Sequence, residues 1–201
     1  MSPDLRSVMR NFATGVCVAT TYTDRGGIRA HDAVTLNSLT SVSLDPPLIS
    51  LSLRRGSQFL DELLGTKKWA ISILDRDAEP VARQLARSHG DRAETVAALR
   101  ADPGPATGAL LLDAQSGLEC VLWDSFDLGD HTMVIGEVVS TGTRDEQPPL
   151  LFLHGAFQQL ASAQTAETAQ TKEPLHDEHP DGPQHRRRNS RRRQGAGPAA
   201  A

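Results

Sequence analysis

Short runs of β-branched and apolar residues, each closed by a turn signal, are what most constrain this chain. Val16 to Tyr22 is rich in Val and Thr, residues whose branched side chains pack well on a pleated surface. Asp24-Arg25-Gly26-Gly27 follows, and its glycines reach the left-handed conformations that a tight hairpin needs, so Ile28 to Val34 is predicted to return alongside. Leu39 to Leu44 stops at Asp45-Pro46-Pro47. Beyond it, Leu48 to Leu53 alternates Ile49, Leu51 and Leu53 with Ser50 and Ser52, the period-two pattern of a half-buried strand. Further strands are expected at Trp69 to Leu74, Ala109 to Leu112, Leu118 to Phe126, Thr132 to Val139 and Leu151 to Phe157. Sixteen Gly and twelve Pro, against eight aromatics, suit many short elements joined by tight turns. Such strands would expose their edges in an open sheet, so a closed or nearly closed antiparallel barrel is expected.

A few helices interrupt the strands. Leu5, Val8, Met9 and Phe12 are spaced i, i+3, i+4, i+7 and share one helical face, with Ser2 as a plausible cap and Pro3 in the first turn. Ser57 is placed to cap a second helix, with Asp61 and Glu62 early, Leu60, Leu63 and Leu64 on one face, and Gly65 as its end. A third is predicted from Asp77-Ala78-Glu79-Pro80, packing through Val81, Ala82, Leu85 and Ala86. Gly90 to Ala106 shows no deciding pattern.

Composition changes at residue 161. Residues 161–201 hold one Leu and no aromatic, too little apolar surface to offset the entropy of ordering, so a disordered polar tail is expected behind a single domain over 1–160. Residues 1–160 carry fourteen Lys and Arg against twenty Asp and Glu. The tail has a basic run at Arg186 to Arg188 and Arg191 to Arg193, but the folded part is acidic and has no basic stripe with stacking aromatics, so no specific nucleic-acid partner is expected. No apolar run is long enough to span a membrane, and the start lacks the basic-then-apolar layout of a signal peptide, which together read as cytoplasmic. Cys17 and Cys120 lie in hydrophobic surroundings and read as buried thiols, not as a disulfide framework or a zinc site.

Three segments could carry chemistry. In Thr35 to Ser43, six of nine residues bear a hydroxyl or amide. They either face solvent or contact a polar, planar, neutral ligand without the desolvation cost of full charges. Arg54-Arg55-Gly56-Ser57 precedes a helix N-terminus, where backbone N–H groups, a hydroxyl and guanidinium groups could take a phosphate; a plain capping serine with surface arginines is the other reading. Gly129-Asp130-His131 is either a simple turn or a ligand contact, and His131 has no companion that would suggest a metal. The sequence has no nucleophile elbow, dinucleotide fingerprint or P-loop. Its carboxylates form no pattern and read as solvated surface.

These segments occur in this order in a known family. From about Ser7 to Leu160 the chain resembles the flavin reductase-like proteins, on the residues Phe12-Ala13-Thr14-Gly15-Val16 with Val18-Ala19-Thr20-Thr21, the run Val34 to Leu48, Gly129-Asp130-His131, and Pro149-Leu150-Leu151-Phe152. The resemblance implies a mainly β fold with a few helices, an antiparallel Greek-key split β-barrel. It also implies an NAD(P)H-dependent reductase that passes hydride from NADH or NADPH to FMN or FAD and supplies reduced flavin to a partner monooxygenase, generally as a homodimer. By analogy, Val34, Thr35, Asn37 and Ser38 would meet the isoalloxazine and ribityl chain. Ser52, Leu53, Arg54, Ser57 and Gln58 would meet the flavin phosphate, and His131 would lie where the nicotinamide dinucleotide docks. The family often has Arg-Gly and an aromatic near the last strand, where this chain has His154-Gly155-Ala156-Phe157. Hydride transfer between stacked rings needs no general base, which fits the lack of recognisable catalytic acids; neutral donors such as Ser38 would stabilise charge on the reduced ring. A split-barrel protein that binds flavin without turnover is the alternative.

Overall fold

The computed structural model describes residues 4–160 except Gln115, Asp145 and Glu146, with only the backbone of Arg25. The expected tail over 161–201, and the Ser2 and Pro3 cap, lie outside the described residues. The chain begins with α1 (Leu5–Met9), capped by Asp4, which accepts from the Ser7 N–H. It continues through β1 (Thr14–Gly15), β2 (Cys17–Arg25), β3 (Ile28–Leu36), β4 (Thr40–Leu44), β5 (Pro47–Arg54), α2 (Gln58–Thr66) and β6 (Lys68–Ile73). After a short 3-10 turn at Arg76–Ala78 come α3 (Glu79–Leu85), α4 (His89–Ala97), β7 (Ala101–Pro103), β8 (Leu110–Leu112), β9 (Ser116–Leu128), β10 (His131–Thr143), β11 (Leu150–Leu153) and β12 (Ala156–Gln159).

Seven strands form one antiparallel sheet in the order β3-β2-β6-β9-β10-β5-β4. Its two edges, β3 and β4, are consecutive in the chain and separated only by residues 37–39. The sheet therefore curls until its first and last strands meet through a covalent link instead of a hydrogen-bonded ladder, which is a split barrel. Ile49, Leu51 and Leu53 of β5 fill its interior with Cys17, Ala19, Phe59, Leu63, Trp69, Cys120 and Val134. Trp69 is fully buried, and Gly136 on β10 makes room for it: a Cβ there would lie 2.2 Å from Trp69 Cζ2.

The opposite face of β2 and β3 packs on α3, α4 and β11 through Val16, Val18, Ala33, Ala82, Leu85, Val96 and Leu150. Both cysteines are buried, and burial pushes both thiols up to about 12. Most of the predicted strands and all three predicted helices form, and several details differ from the sequence expectation. Leu151 to Phe157 is a hairpin and not one strand, because His154 and Gly155 both take positive φ (56° and 81°) and reverse the chain. Gly65 lies inside α2; the left-handed cap is Lys67, with φ 60°. Ala86 is exposed.

The apolar face of α1 is also uncovered, Leu5, Val8 and Phe12 being 67%, 68% and 63% exposed. The first part of the undecided stretch belongs to α4, pinned by the buried Arg92, whose Nε and Nη2 hold Asp32 at 3.0 and 2.7 Å. Asp32 and Glu119 correct the reading of the carboxylates as surface. Glu119 is 1% exposed and accepts from the Thr107 N–H and hydroxyl at 2.7 and 2.8 Å. Among the described residues no helix is long and apolar enough to cross a membrane.

Candidate functional site

The site begins where the β4–β5 ladder ends. Thr40 opposite Ser50 is its last pair, and beyond it Ser38 substitutes a side chain for a strand partner. The Ser38 hydroxyl accepts the Ser52 N–H at 3.1 Å and donates to the Ser52 carbonyl at 3.2 Å. This fixes residues 37–39 against β5 without continuing β4. Asn37 Nδ2 donates to Thr14 Oγ1 at 3.1 Å, holding the same link to β1.

Asn37 and Ser38 form the polar wall of a cavity of about 740 Å³, whose other walls include Arg6, Arg10 and Phe12 from the N-terminal segment and Phe152 of β11. The volume lies in the range of small-molecule sites, and mainly apolar walls with a few polar groups, neutral at Asn37 and Ser38 and cationic at Arg6 and Arg10, suit a planar ring. In this arrangement the Ser38 hydroxyl proton is committed to Ser52. Asn37 keeps a second amide proton and its carbonyl oxygen for a ligand.

β5 then runs from Ser52 to the α2 N-terminus. Gly56 turns the chain with φ 70°, and Ser57 caps α2 by accepting the Leu60 N–H at 3.4 Å. Arg54 lies opposite His131 on β10, so the capped helix and the Gly129-Asp130-His131 turn share one end of the sheet. Arg55 ties them: its N–H donates to the Asp130 carbonyl at 3.0 Å, its Nη1 to the Gly129 carbonyl at 3.3 Å, and its Nη2 pairs with Asp127 at 3.2 Å. His131 Nδ1 bonds Asp130 Oδ1 at 2.9 Å, and that bond, then the imidazole's charge, holds the Asp130 carboxyl below the usual range. The Nδ1 contact orients the ring and leaves Nε2 for a ligand.

The remaining singled-out side chains point elsewhere. Val34 packs on the barrel interior, and Leu53 is buried in it. The Thr35 hydroxyl donates to the Ala82 carbonyl at 2.8 Å, towards α3. Gln58 bonds Glu62 at 2.9 Å and lines a different hollow, of about 690 Å³, beside Tyr22 and Asp61. Contacts from these four to a ligand in the main cavity would be through the backbone. No cluster of three or more metal-ligating side chains exists among the described residues.

Sequence reasoning missed the apolar flank of this site. Cross-strand partners share a face, so Ser52 stands beside Met133 and Phe126, and Arg54 beside His131 and Leu128. Three β-bulges add Val42, Trp123 and Val139, the unpaired residues where register shifts. Trp123, Phe126 and Leu128 are 56%, 48% and 55% exposed. Bulges re-aim side chains, and a bulged residue gives no alternation signal, so only the register shows this surface.

The family model described as "Flavin reductase like domain" matches residues 9–161. The chain belongs to the flavin reductase-like family. It is 32% identical over 166 residues to a flavin reductase (NADH) of Kitasatospora aureofaciens, covering 81% of this chain and 84% of the relative. An NADH-dependent FAD reductase of Streptomyces globisporus is 34% identical over 162 residues, covering 78% and 85%. Among solved structures, BorF, the flavin reductase component of a bacterial two-component tryptophan halogenase, superposes with a TM-score of 0.71 at 34% identity, covering 78% of this chain and 96% of that one. As in this family, the present chain is a mainly β split barrel. The stretch that carries the sequence resemblance, about Ser7 to Leu160, and the residues matched by the family model agree to within two residues at each end.

Proposed function

We propose that this flavin reductase-like protein is an NAD(P)H:flavin oxidoreductase that reduces FMN or FAD and hands the product to a partner flavin-dependent oxygenase. One observation carries the reading. A neutral polar wall at Asn37 and Ser38, beside an apolar cavity, is joined by a single strand, β5, to a capped helix N-terminus next to His131. That is the layout required by a planar ring with a phosphorylated arm and a second planar ring beside it.

Flavin, when bound, would supply the redox chemistry by taking up hydride from the reduced nicotinamide. The protein's part is placement. Asn37 would offer neutral hydrogen-bonding groups to the ring edge, the first-turn N–H groups of α2 with Ser57 and Arg54 would receive the phosphate, and His131 would offer Nε2 to the nicotinamide. Rings stacked at about 3 to 3.5 Å need no added base.

The partner assignment rests on relatives such as BorF, described as a component of a two-component system. We also propose a homodimer. The exposed apolar surface of Trp123, Phe126, Leu128 and Val42 borders the flavin strip, and a second copy would cover it while closing the site. Mixing the protein with NADH and FMN, FAD or riboflavin and following the nicotinamide absorbance tests the reading. Consumption that depends on added flavin is expected. Flavin binding without NADH oxidation would replace the enzyme with a binding protein.

A further inference from the structure

The cavity that Asn37 and Ser38 line also has cations in its wall. Arg6 and Arg10 both line it and lie four residues apart on α1 and its C-cap, so their guanidinium groups share a helix face. Like charges at that spacing repel, and the pair faces a mainly apolar space. Arg10 is held in place: its Nη2 donates to the His154 carbonyl at 2.7 Å, and its own carbonyl accepts the His154 N–H at 2.8 Å. Gly155, with φ 81°, leaves room for it, since a Cβ there would come within 3.3 Å of Arg10 Nη2. The Arg6 side chain has no hydrogen-bond or ion-pair partner among the described residues. One turn thus presents to the cavity an anchored guanidinium and a second one with no hydrogen bond or close ion pair, whose charge otherwise acts on the nearby Asp4 carboxylate, an arrangement that suits an anion with two charges a few ångströms apart.

We infer that Arg6 and Arg10 form the binding site for the pyrophosphate of the nicotinamide dinucleotide. The inference rests on the reductase reading above. The flavin's phosphate belongs to the Arg54–Ser57 turn, and in FAD the second phosphate is bonded to the first, so both stay at that end. Ser38 meets Ser52, and Ser57 follows two strand residues and a turn later, on the order of 10 Å away at the rise of a strand. The cations beside Asn37 therefore serve an anion that the flavin does not bring. The remaining dinucleotide is the hydride donor, whose pyrophosphate would bridge the two guanidinium groups while its nicotinamide reaches back over the ring.

The test compares NADH with N-benzyl-dihydronicotinamide, which carries the same hydride-donating ring without phosphate or adenosine, using FMN as acceptor. In Arg6→Gln, which breaks no hydrogen bond or close ion pair among the described residues, and in Arg6→Gln with Arg10→Gln, the ratio of kcat/KM for NADH to that for the truncated donor falls, by about tenfold or more in the double variant, as expected for lost charge-assisted hydrogen bonds. Arg10→Lys, which keeps a donor and a charge, retains most of the ratio. A ratio within twofold of the unmodified protein overturns the inference, whether both donors slow together or neither does. So does an unchanged ratio accompanied by a selective loss of FAD over FMN affinity, which would assign the pair to the flavin. Unmodified protein that oxidises neither donor refutes the reductase reading, and this inference with it.

Discussion

Replacing Ser57 with Asp isolates the phosphate from the rest of the flavin. Asp caps a helix as well as Ser does, so α2 and its buried Phe59, Leu60 and Leu63 stay in place. What changes is one negative charge beside the first-turn N–H groups. At about 5 Å and an effective dielectric of about 40, two unit charges interact by roughly 1.7 kcal/mol. A phosphate near two charges doubles this to about 3 kcal/mol, and ionic screening at physiological salt roughly halves it again. About 1.5 kcal/mol remains, or roughly a tenfold rise in Kd. Titrating flavin fluorescence with the unmodified and Ser57→Asp proteins should therefore show FMN and FAD about tenfold weaker and riboflavin within about twofold, with the gap narrowing as salt is added. Equal weakening of riboflavin and FMN, or an unchanged FMN affinity, would refute the placement of the phosphate at this turn.

Other expectations follow from the same geometry. His131→Ala should raise the KM for NADH severalfold while flavin affinity holds; an unchanged KM removes the imidazole from the nicotinamide side. Gly136→Ala drives a methyl into the fully buried Trp69 ring and should cost about 1 to 3 kcal/mol, as overpacked cores do; a urea midpoint matching the unmodified protein would show that the barrel yields more easily than its burial implies. Burial raises the thiol values of Cys17 and Cys120 to about 12, so the native protein stays protonated where an unfolded chain ionises. Stability should be intact below the ordinary thiol value near 9 and be lost as pH rises from there towards about 12. At about pH 8 the native thiols should resist alkylation that denatured protein undergoes, and mass spectrometry showing rapid native labelling would contradict this.

Much of the fold was legible because its signals are local. The period of two in Leu48 to Leu53, the Gly26-Gly27 reversal and the Ser57 cap each depend on residues adjacent in the chain, and each formed as read. Other features depend on partners far away in sequence. Arg92 and Asp32 are 60 residues apart and read singly as surface charges, which hid the anchoring of α4. The His154-Gly155 reversal was missed because an apolar run on both sides masks two residues whose positive φ shows only in the backbone. At the site, the hydroxyl-rich segment and the Gly-Asp-His turn were visible as residue types, yet the commitment of Ser38 to Ser52 and of Thr35 to Ala82 was not.

The order of hydrophobic and polar residues alone determined that this chain would make short antiparallel strands, where they turn, and which segment is rich in neutral hydrogen-bonding groups, because those properties belong to the local backbone and to each side chain. Tertiary structure decided which of these groups face a common cavity, that Arg54 pairs with His131 across the ladder, and that two arginines from the N-terminal helix and its cap line the same cavity as Asn37. Strand register and the curl of the sheet set those neighbours, and both depend on partners far apart in the chain.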